Sequence, residues 1–376
     1  MRAAVIPGPG AGIEIREIPE PAPEEGGAVL EVELSEVCGT DVALLAGRLA
    51  GVPYPIVPGH VAVGRLREIR GVVRDVEGRP FADGDRVTFL DVHRTCNACW
   101  HCLVAKATTR CPERRVYGIT YGLADGPSGG WARTLLLKPG TRLIRLDGAA
   151  PELFMAGGCS LPTALHALER GRPAPGDTVL VLGSGPVGLS IVALARLLGA
   201  GRVLCVGAPA ERLAAARAMG ADDVLDFREH DAAARHAWVA ARTGGRGADL
   251  SLEAAGDPAA VVEAMRLTRD AGRVVVVGQY ADHGEVAFNP HADLNRRHLE
   301  VLGCWGSDYA HFHRAAVILS DPERARPWAA LPCRRYPLEE AGRALADVAS
   351  LAVVKALIDP RGRADRRERD PGVRRP

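Results

Sequence analysis

Lysine is nearly missing from this 376-residue chain: of 47 basic residues, only Lys106, Lys138 and Lys355 are not arginine. The skew fits the codon usage of a GC-rich genome and carries no functional content. Neither charge is in excess, since 47 basic residues against 46 acidic leave a net +1. Nucleic acids and anionic membrane surfaces select basic patches, so the balance speaks against either as the main partner. Aromatic residues make up 5% of the chain, too few to suggest a base-stacking surface. The start, MRAAVIPGPG, lacks the apolar core of a secretory leader, and the expectation is a cytoplasmic protein. An uncharged stretch of membrane-helix length, residues 178–195, holds Gly183, Gly185, Pro186 and Gly188 near its middle. It reads as strand, turn and buried helix.

What is present points to a two-domain enzyme. The length suggests two domains and an ample core. The 43 glycines and 27 prolines suit a turn-rich α/β or β-rich fold. Up to residue 150, runs such as Ala28–Leu34, Arg86–Leu90 and Trp131–Leu137 read as short strands. From Thr178 the rhythm changes to strands at Thr178–Leu182, Arg202–Val206, Val224–Asp226, Leu250–Ala254 and Arg273–Gly278, with helical lengths between them. That alternation predicts a doubly wound parallel sheet covered on both faces.

Gly183-Ser-Gly185-Pro186-Val187-Gly188 follows the first of those strands and opens a helix, the setting of a dinucleotide fingerprint. The first glycine allows the turn, the second lets backbone approach a pyrophosphate, and the third lets helix pack on strand. The usual acidic residue at the end of the second strand is replaced by Gly207, followed by Ala208 and Pro209. A carboxylate there would repel the 2′-phosphate of NADP, so its absence removes that repulsion, leaves space, and tilts the expectation from NAD towards NADP. Arg212, one helical turn on, is the nearest base.

Nine cysteines include four within sixteen residues, Cys96, Cys99, Cys102 and Cys111. In a chain expected to stay reduced, four soft ligands in one loop predict a closed, tetrahedral structural Zn²⁺ site.

Cys38-Gly39-Thr40-Asp41, Gly59-His60, and Cys159 in GGCSLPTALHAL complete a pattern with the cysteine loop and the fingerprint. In this order they resemble the zinc-dependent medium-chain alcohol dehydrogenases, from MRAAVIPGPG through KALIDP. The resemblance implies a β-rich GroES-like catalytic domain over residues 1–160 and 300–361, and a Rossmann cofactor domain over 161–299. A disordered, arginine-rich tail is expected at 362–376. It implies a catalytic Zn²⁺ on Cys38, His60 and Cys159, with Glu152 as the weaker candidate for third ligand, and thus two zinc ions per chain. Thr40 is implied as the proton-relaying hydroxyl, Asp41 as the carboxylate that orients the histidine, and Lys355 as a base near the cofactor pyrophosphate. Gly278 is a further candidate cofactor contact.

Three places depart from the family pattern. Val61 follows His60 where the family writes glutamate, Ala43 stands where many members carry a relay histidine, and the last gap of the cysteine loop is eight residues instead of seven. The implied activity is hydride transfer between an alcohol, secondary or cyclic, or its carbonyl and NAD(P), in a homodimer or homotetramer. A reductase of another C=X bond, the zinc-free quinone- or enoyl-reductase branch, and a non-catalytic zinc- and nucleotide-binding protein remain alternatives. Val92, His93, Trp305, Ser307 and Asp308 are candidate pocket residues that packing alone could equally explain.

Overall fold

The computed structural model describes residues 1–148 and 150–362; the expected tail beyond Gly362 lies outside them. The chain divides into two compact units.

The first unit comprises residues 1–94, 115–145 and, among the described residues, 333–362. A hairpin-like pair, β1 (Arg2–Val5) and β2 (Glu14–Glu17), precedes β3 (Ala28–Val37), α1 (Gly39–Leu45), β4 (Ala62–Arg67), β5 (Arg86–Phe89) and β6 (Val92–Arg94). Then come β7 (Arg115–Val116), β8 (Thr134–Leu137) and β9 (Leu143–Arg145), and at the end β16 (Cys333–Pro337), α11 (Ala341–Ala349) and β17 (Lys355–Asp359). The main sheet runs β16-β17-β3-β4-β5-β9, with β8 also on β3. β3 is thus its hub, and its even positions Ala28, Leu30, Val32 and Leu34 are buried, as alternation requires. One core cluster gathers Trp131, Tyr336, Ala356 and Ile358. Another gathers Leu30, Phe89, Tyr117 and Leu135.

The second unit comprises residues 95–114 and 146–332. It starts with the cysteine lobe and its short α2 (Trp100–Leu103), followed by α3 (Pro151–Gly157) and α4 (Ser160–Gly171). The doubly wound part alternates β10 (Thr178–Leu182), α5 (Pro186–Leu197), β11 (Arg202–Gly207), α6 (Ala210–Ala218), β12 (Asp223–Asp226), α7 (Ala232–Arg242), β13 (Ala248–Glu253), α8 (Pro258–Leu267), β14 (Thr268–Val276) and β15 (Glu300–Gly303). Two helices, α9 (Tyr309–Ser320) and α10 (Pro322–Ala329), close it. The strands are all parallel in the order β12-β11-β10-β13-β14-β15. The order reverses between β10 and β13, which opens a crevice at the strand exits.

The units part at 145/146 and 332/333, away from the expected boundaries at 160 and 300. The reason is hydrogen bonding and packing. Residues 300–303 pair with β14 as the sixth parallel strand, and α9 packs on α4, which holds the 146–171 segment to the sheet unit.

Candidate active site and cofactor cradle

Cys38 ends the β3 segment and caps α1. Its sulfur accepts from the Thr40 N–H at 3.3 Å, and Asp41 Oδ2 accepts from the Cys38 N–H at 2.9 Å, so the two close a capping box. The other oxygen of Asp41 accepts from the Gly59 N–H at 3.4 Å. One buried carboxylate therefore ties the backbone of both loops, those carrying Cys38 and His60. Asp41, expected to orient the imidazole, bonds the backbone on which the ring is mounted.

His60 sits where the chain has no room to shift. Gly59 has φ +88°, and a Cβ there would stand 2.4 Å from the Trp131 ring. A Cβ on Gly118 would stand 2.9 Å from the His60 N. The imidazole is buried, and its Nδ1 has no hydrogen-bond partner among the described residues. The Cys38 sulfur lies within 4.8 Å of a ring nitrogen. Burial opposes a charge on this ring, but Cys38, Asp41, Asp91 and Glu36 around it raise its pKa to about 9. An unsatisfied imidazole nitrogen beside a thiol, in surroundings that favour positive charge, is the donor chemistry of a zinc site.

Cys159 belongs to the second unit, half-buried at the N-cap of α4, where the helix terminus favours a negative group. Glu152 lies in the first turn of α3 in the same unit.

The four cysteines of the lobe come together as expected, all four sulfurs within 4.8 Å of one another. Cys96 Sγ accepts from the Cys99 N–H at 3.2 Å and the Ala98 N–H at 3.5 Å, and Cys111 Sγ accepts from the Cys96 N–H at 3.2 Å. Backbone N–H groups lower Cys96 to about 7, while burial and the adjacent thiols push Cys102 up to about 12. Four thiols this close cannot all ionise without a cation among them, and four thiolates leave no open position on such a cation.

The fingerprint glycines divide their labour as the sequence predicts. Gly183 takes φ +115°. A Cβ on Gly188 would stand 1.8 Å from the Gly183 oxygen, so helix and turn meet backbone to backbone. Before Gly185 the space is open, the Arg212 Nη1 at 4.0 Å being the nearest recorded atom. Pro186 and Val187 open α5 at that point. Open space at a helix N-terminus, flanked by a buried guanidinium, has the chemistry that suits a pyrophosphate.

Gly207 corrects one expectation. The space expected there is taken by Ser184, whose Oγ lies 2.3 Å from where a Cβ would stand. Ser184 Oγ donates to the Ala208 oxygen and accepts from the Ala208 N–H, both at 3.1 Å, cinching the exits of β10 and β11 together. A side chain at this position would collide with Ser184 unless Ser184 moved.

A family model described as alcohol dehydrogenase GroES-like domain matches residues 24–147, and one described as zinc-binding dehydrogenase matches 186–321. A 5-exo-hydroxycamphor dehydrogenase of Pseudomonas putida is 33% identical over 351 residues, covering 92% of this chain and 95% of that one. This chain belongs to the zinc-dependent medium-chain alcohol dehydrogenases. An alcohol dehydrogenase of Thermotoga maritima superposes on this dehydrogenase with a TM-score of 0.89 at 31% identity, covering 95% of this chain and 98% of its own. A zinc-binding dehydrogenase of Sinorhizobium meliloti solved with NADP gives 0.80 at 28% identity, covering 96% and 99%. The alcohol dehydrogenase is thus an NAD(P)-dependent oxidoreductase that uses zinc and acts on small alcohols or carbonyls. Among its described residues no helix is long and apolar enough to cross a membrane.

The other sequence candidates make the following contacts in the dehydrogenase. Lys355, expected near the cofactor pyrophosphate, is buried in the first unit and ion-paired with buried Glu36. β17 lies against β3, which carries Glu36, and that pairing draws the ammonium inward. His93 bonds Tyr121 and the Pro139 oxygen. Val92 is buried in β6. Trp305 stacks on Tyr280 under the guanidinium of Arg114, Asp308 caps α9 and pairs with His311, and Ser307 is buried beside it. Gly278 packs against Gly256 N, 2.4 Å from a Cβ placed on it.

Among the buried carboxylates that sequence reasoning passed over are Glu36 and Glu253. Each was signalled by an acid within an apolar strand, Glu36 two residues before Cys38 and Glu253 before Ala-Ala-Gly.

Proposed function

We propose that Cys38, His60 and Cys159 hold a catalytic zinc ion and that the cysteine lobe holds a second, structural one. The observation that carries this reading is the buried, unpartnered Nδ1 of His60 beside Cys38 in a surround that raises the ring's pKa to about 9. When bound, zinc supplies a Lewis acid at the reacting oxygen and the nicotinamide ring takes or gives the hydride. Thr40, whose N–H already anchors the Cys38 sulfur, relays the alcohol proton: its hydroxyl oxygen accepts that proton while its own hydroxyl proton passes on to water. Asp41 keeps the two ligand loops in register while this happens. Thr40→Ala is expected to lower kcat on the order of 10²-fold with zinc content unchanged, because it removes proton transfer alone. An unchanged kcat over the whole pH profile would assign the relay elsewhere.

Metal analysis tests the count. The purified protein should carry roughly two zinc ions per chain. Cys96→Ser should lose one and lower the melting temperature, since a structural zinc contributes folding free energy. A stoichiometry near one that this substitution leaves unchanged would empty the lobe of its role.

For the substrate we infer a secondary or cyclic alcohol, following the hydroxycamphor enzyme to which the chain is similar. A panel of alcohols and ketones with both cofactors checks it. For the cofactor the reading leans to NADP: no acid repels a 2′-phosphate at Gly207, and the Arg212 guanidinium stands beside Gly185. Arg212→Ala should then reduce kcat/KM for NADP on the order of tenfold or more, and for NAD much less. Equal losses would place the guanidinium at the pyrophosphate, common to both. A homo-oligomer in the cytoplasm, where the thiols stay reduced, completes the proposal.

A further inference from the structure

Glu253 is fully buried at the last position of β13, on the strand that faces β10 across the reversal of strand order. Its Oε1 accepts from the Ala255 N–H at 2.8 Å and from the Gly256 N–H at 2.6 Å. Its Oε2 accepts from the Gly278 N–H at 3.2 Å. The side chain thereby joins the loop leaving β13 to the loop leaving β14. The backbone supports the same junction: the Glu253 carbonyl accepts from Val277 and Gly278 at 2.9 and 3.0 Å.

The clamped loop lies directly under the fingerprint. Ala254 donates to the Leu182 oxygen at 2.7 Å. A Cβ on Gly183 would stand 2.6 Å from the Ala254 carbonyl and 2.7 Å from the Ala255 nitrogen. On the other side, a Cβ on Gly278 would meet Glu253 Oε1 at 2.5 Å. Three strand exits, those of β10, β13 and β14, are therefore packed backbone to backbone around one carboxylate. These exits bound the crevice in which a dinucleotide lies in a sheet of this topology.

We propose that Glu253 is a positioning residue for the nicotinamide cofactor, fixing the two loops that form the floor of the crevice beside Gly183. Burying a carboxylate costs free energy unless its lone pairs are occupied. Burial raises the pKa of this one, against the pull of the three N–H donors. Glutamate suits the task because each of its oxygens accepts, whereas glutamine has one acceptor oxygen and would turn N–H donors against Gly278 or against the Ala255–Gly256 pair. The inference rests on the cofactor seating at these strand exits, and on neither the choice of NAD or NADP nor the zinc assignment.

The test is Glu253→Gln in the full-length zinc enzyme. Kd for NADH and NADPH, KM for cofactor and for alcohol, zinc content and melting temperature are measured together. Expected are a rise in both cofactor Kd values of about tenfold or more, a parallel rise in cofactor KM, and an alcohol KM and zinc content close to wild type. Glu253→Asp, which keeps two acceptor oxygens on a shorter arm, should recover part of the loss. It also carries the test by itself if the glutamine variant does not fold. Wild-type cofactor Kd in the folded glutamine variant, or in the aspartate variant where that alone folds, overturns the proposal, as does a loss spread equally over cofactor, alcohol and zinc. Wild-type protein that binds neither NADH nor NADPH would overturn the cofactor seating itself.

Discussion

His60→Ala and Cys38→Ser should each lower turnover by roughly a thousandfold or more, while the circular dichroism spectrum and NAD(P)H binding stay near wild type. The size follows from what is lost. Charge developing on the reacting oxygen would have to be stabilised by water and by Thr40, without several kcal/mol from a Lewis acid. The fold should survive because the backbone around each ligand has other holds. Asp41 still accepts from the Cys38 and Gly59 N–H groups, and Trp131 and Gly118 still pack the Gly59–His60 turn. Zinc analysis should show the loss of one ion of two, with the lobe's ion retained. Near-normal turnover in His60→Ala would sink the zinc assignment. For the third ligand, Cys159→Ala should behave like the other two and Glu152→Ala like wild type. The reverse pattern would move the ligand to α3. A pH dependence follows from the same residues. A zinc ion at this site would compete with protons for His60, whose pKa its surroundings raise to about 9, so metal retention should weaken as pH falls.

How legible this protein is in its sequence depends on how local each device is. The cysteine lobe is read directly because its four ligands lie within sixteen residues and their sulfurs need only one loop to meet. The strand Thr178–Leu182 has the bounds expected of it, and the helix Ala232–Arg242 fills one of the helical lengths expected between strands. A parallel strand buried on both faces is continuously apolar, and a surface helix carries a periodic stripe. Legibility fails where a side chain acts across long separations. Ser184 fills the space before Gly207, 23 positions on, and nothing in Val-Gly-Ala-Pro announces it. Glu253 passes for the end of a strand until the loops at 255 and 278 fold over it. The unit boundary at 332 is hidden because Glu300–Gly303 continues the parallel ladder, although its exposed residues lack the apolar run of the strands before it.

Lys355→Met should destabilise the first unit by about 3–5 kcal/mol, and the loss should appear as an early unfolding transition or as insoluble protein. Lys355 and Glu36 lie 319 residues apart in sequence, both essentially without solvent contact, and they pair in the interior of the sheet that carries Cys38. Removing the cation alone leaves the Glu36 carboxylate in a site too dry to hydrate it, close enough to His60 and Asp41 to act on both. The pair itself need not be worth that much. Desolvating two ions offsets most of their attraction, so replacing both partners can be nearly neutral. Glu36→Gln combined with Lys355→Met should therefore recover much of the stability lost in the single variant, and the difference is a coupling energy that a double-mutant cycle measures. The same cycle decides between two jobs for the ammonium. If Lys355 served the cofactor pyrophosphate, the single variant would unfold like wild type but raise the KM for NAD(P), and adding Glu36→Gln would restore nothing. If it serves as the counter-ion of Glu36, stability falls first, the second substitution rescues it, and the cofactor KM of the rescued protein stays within a few-fold of wild type. The burial of both groups favours the second outcome.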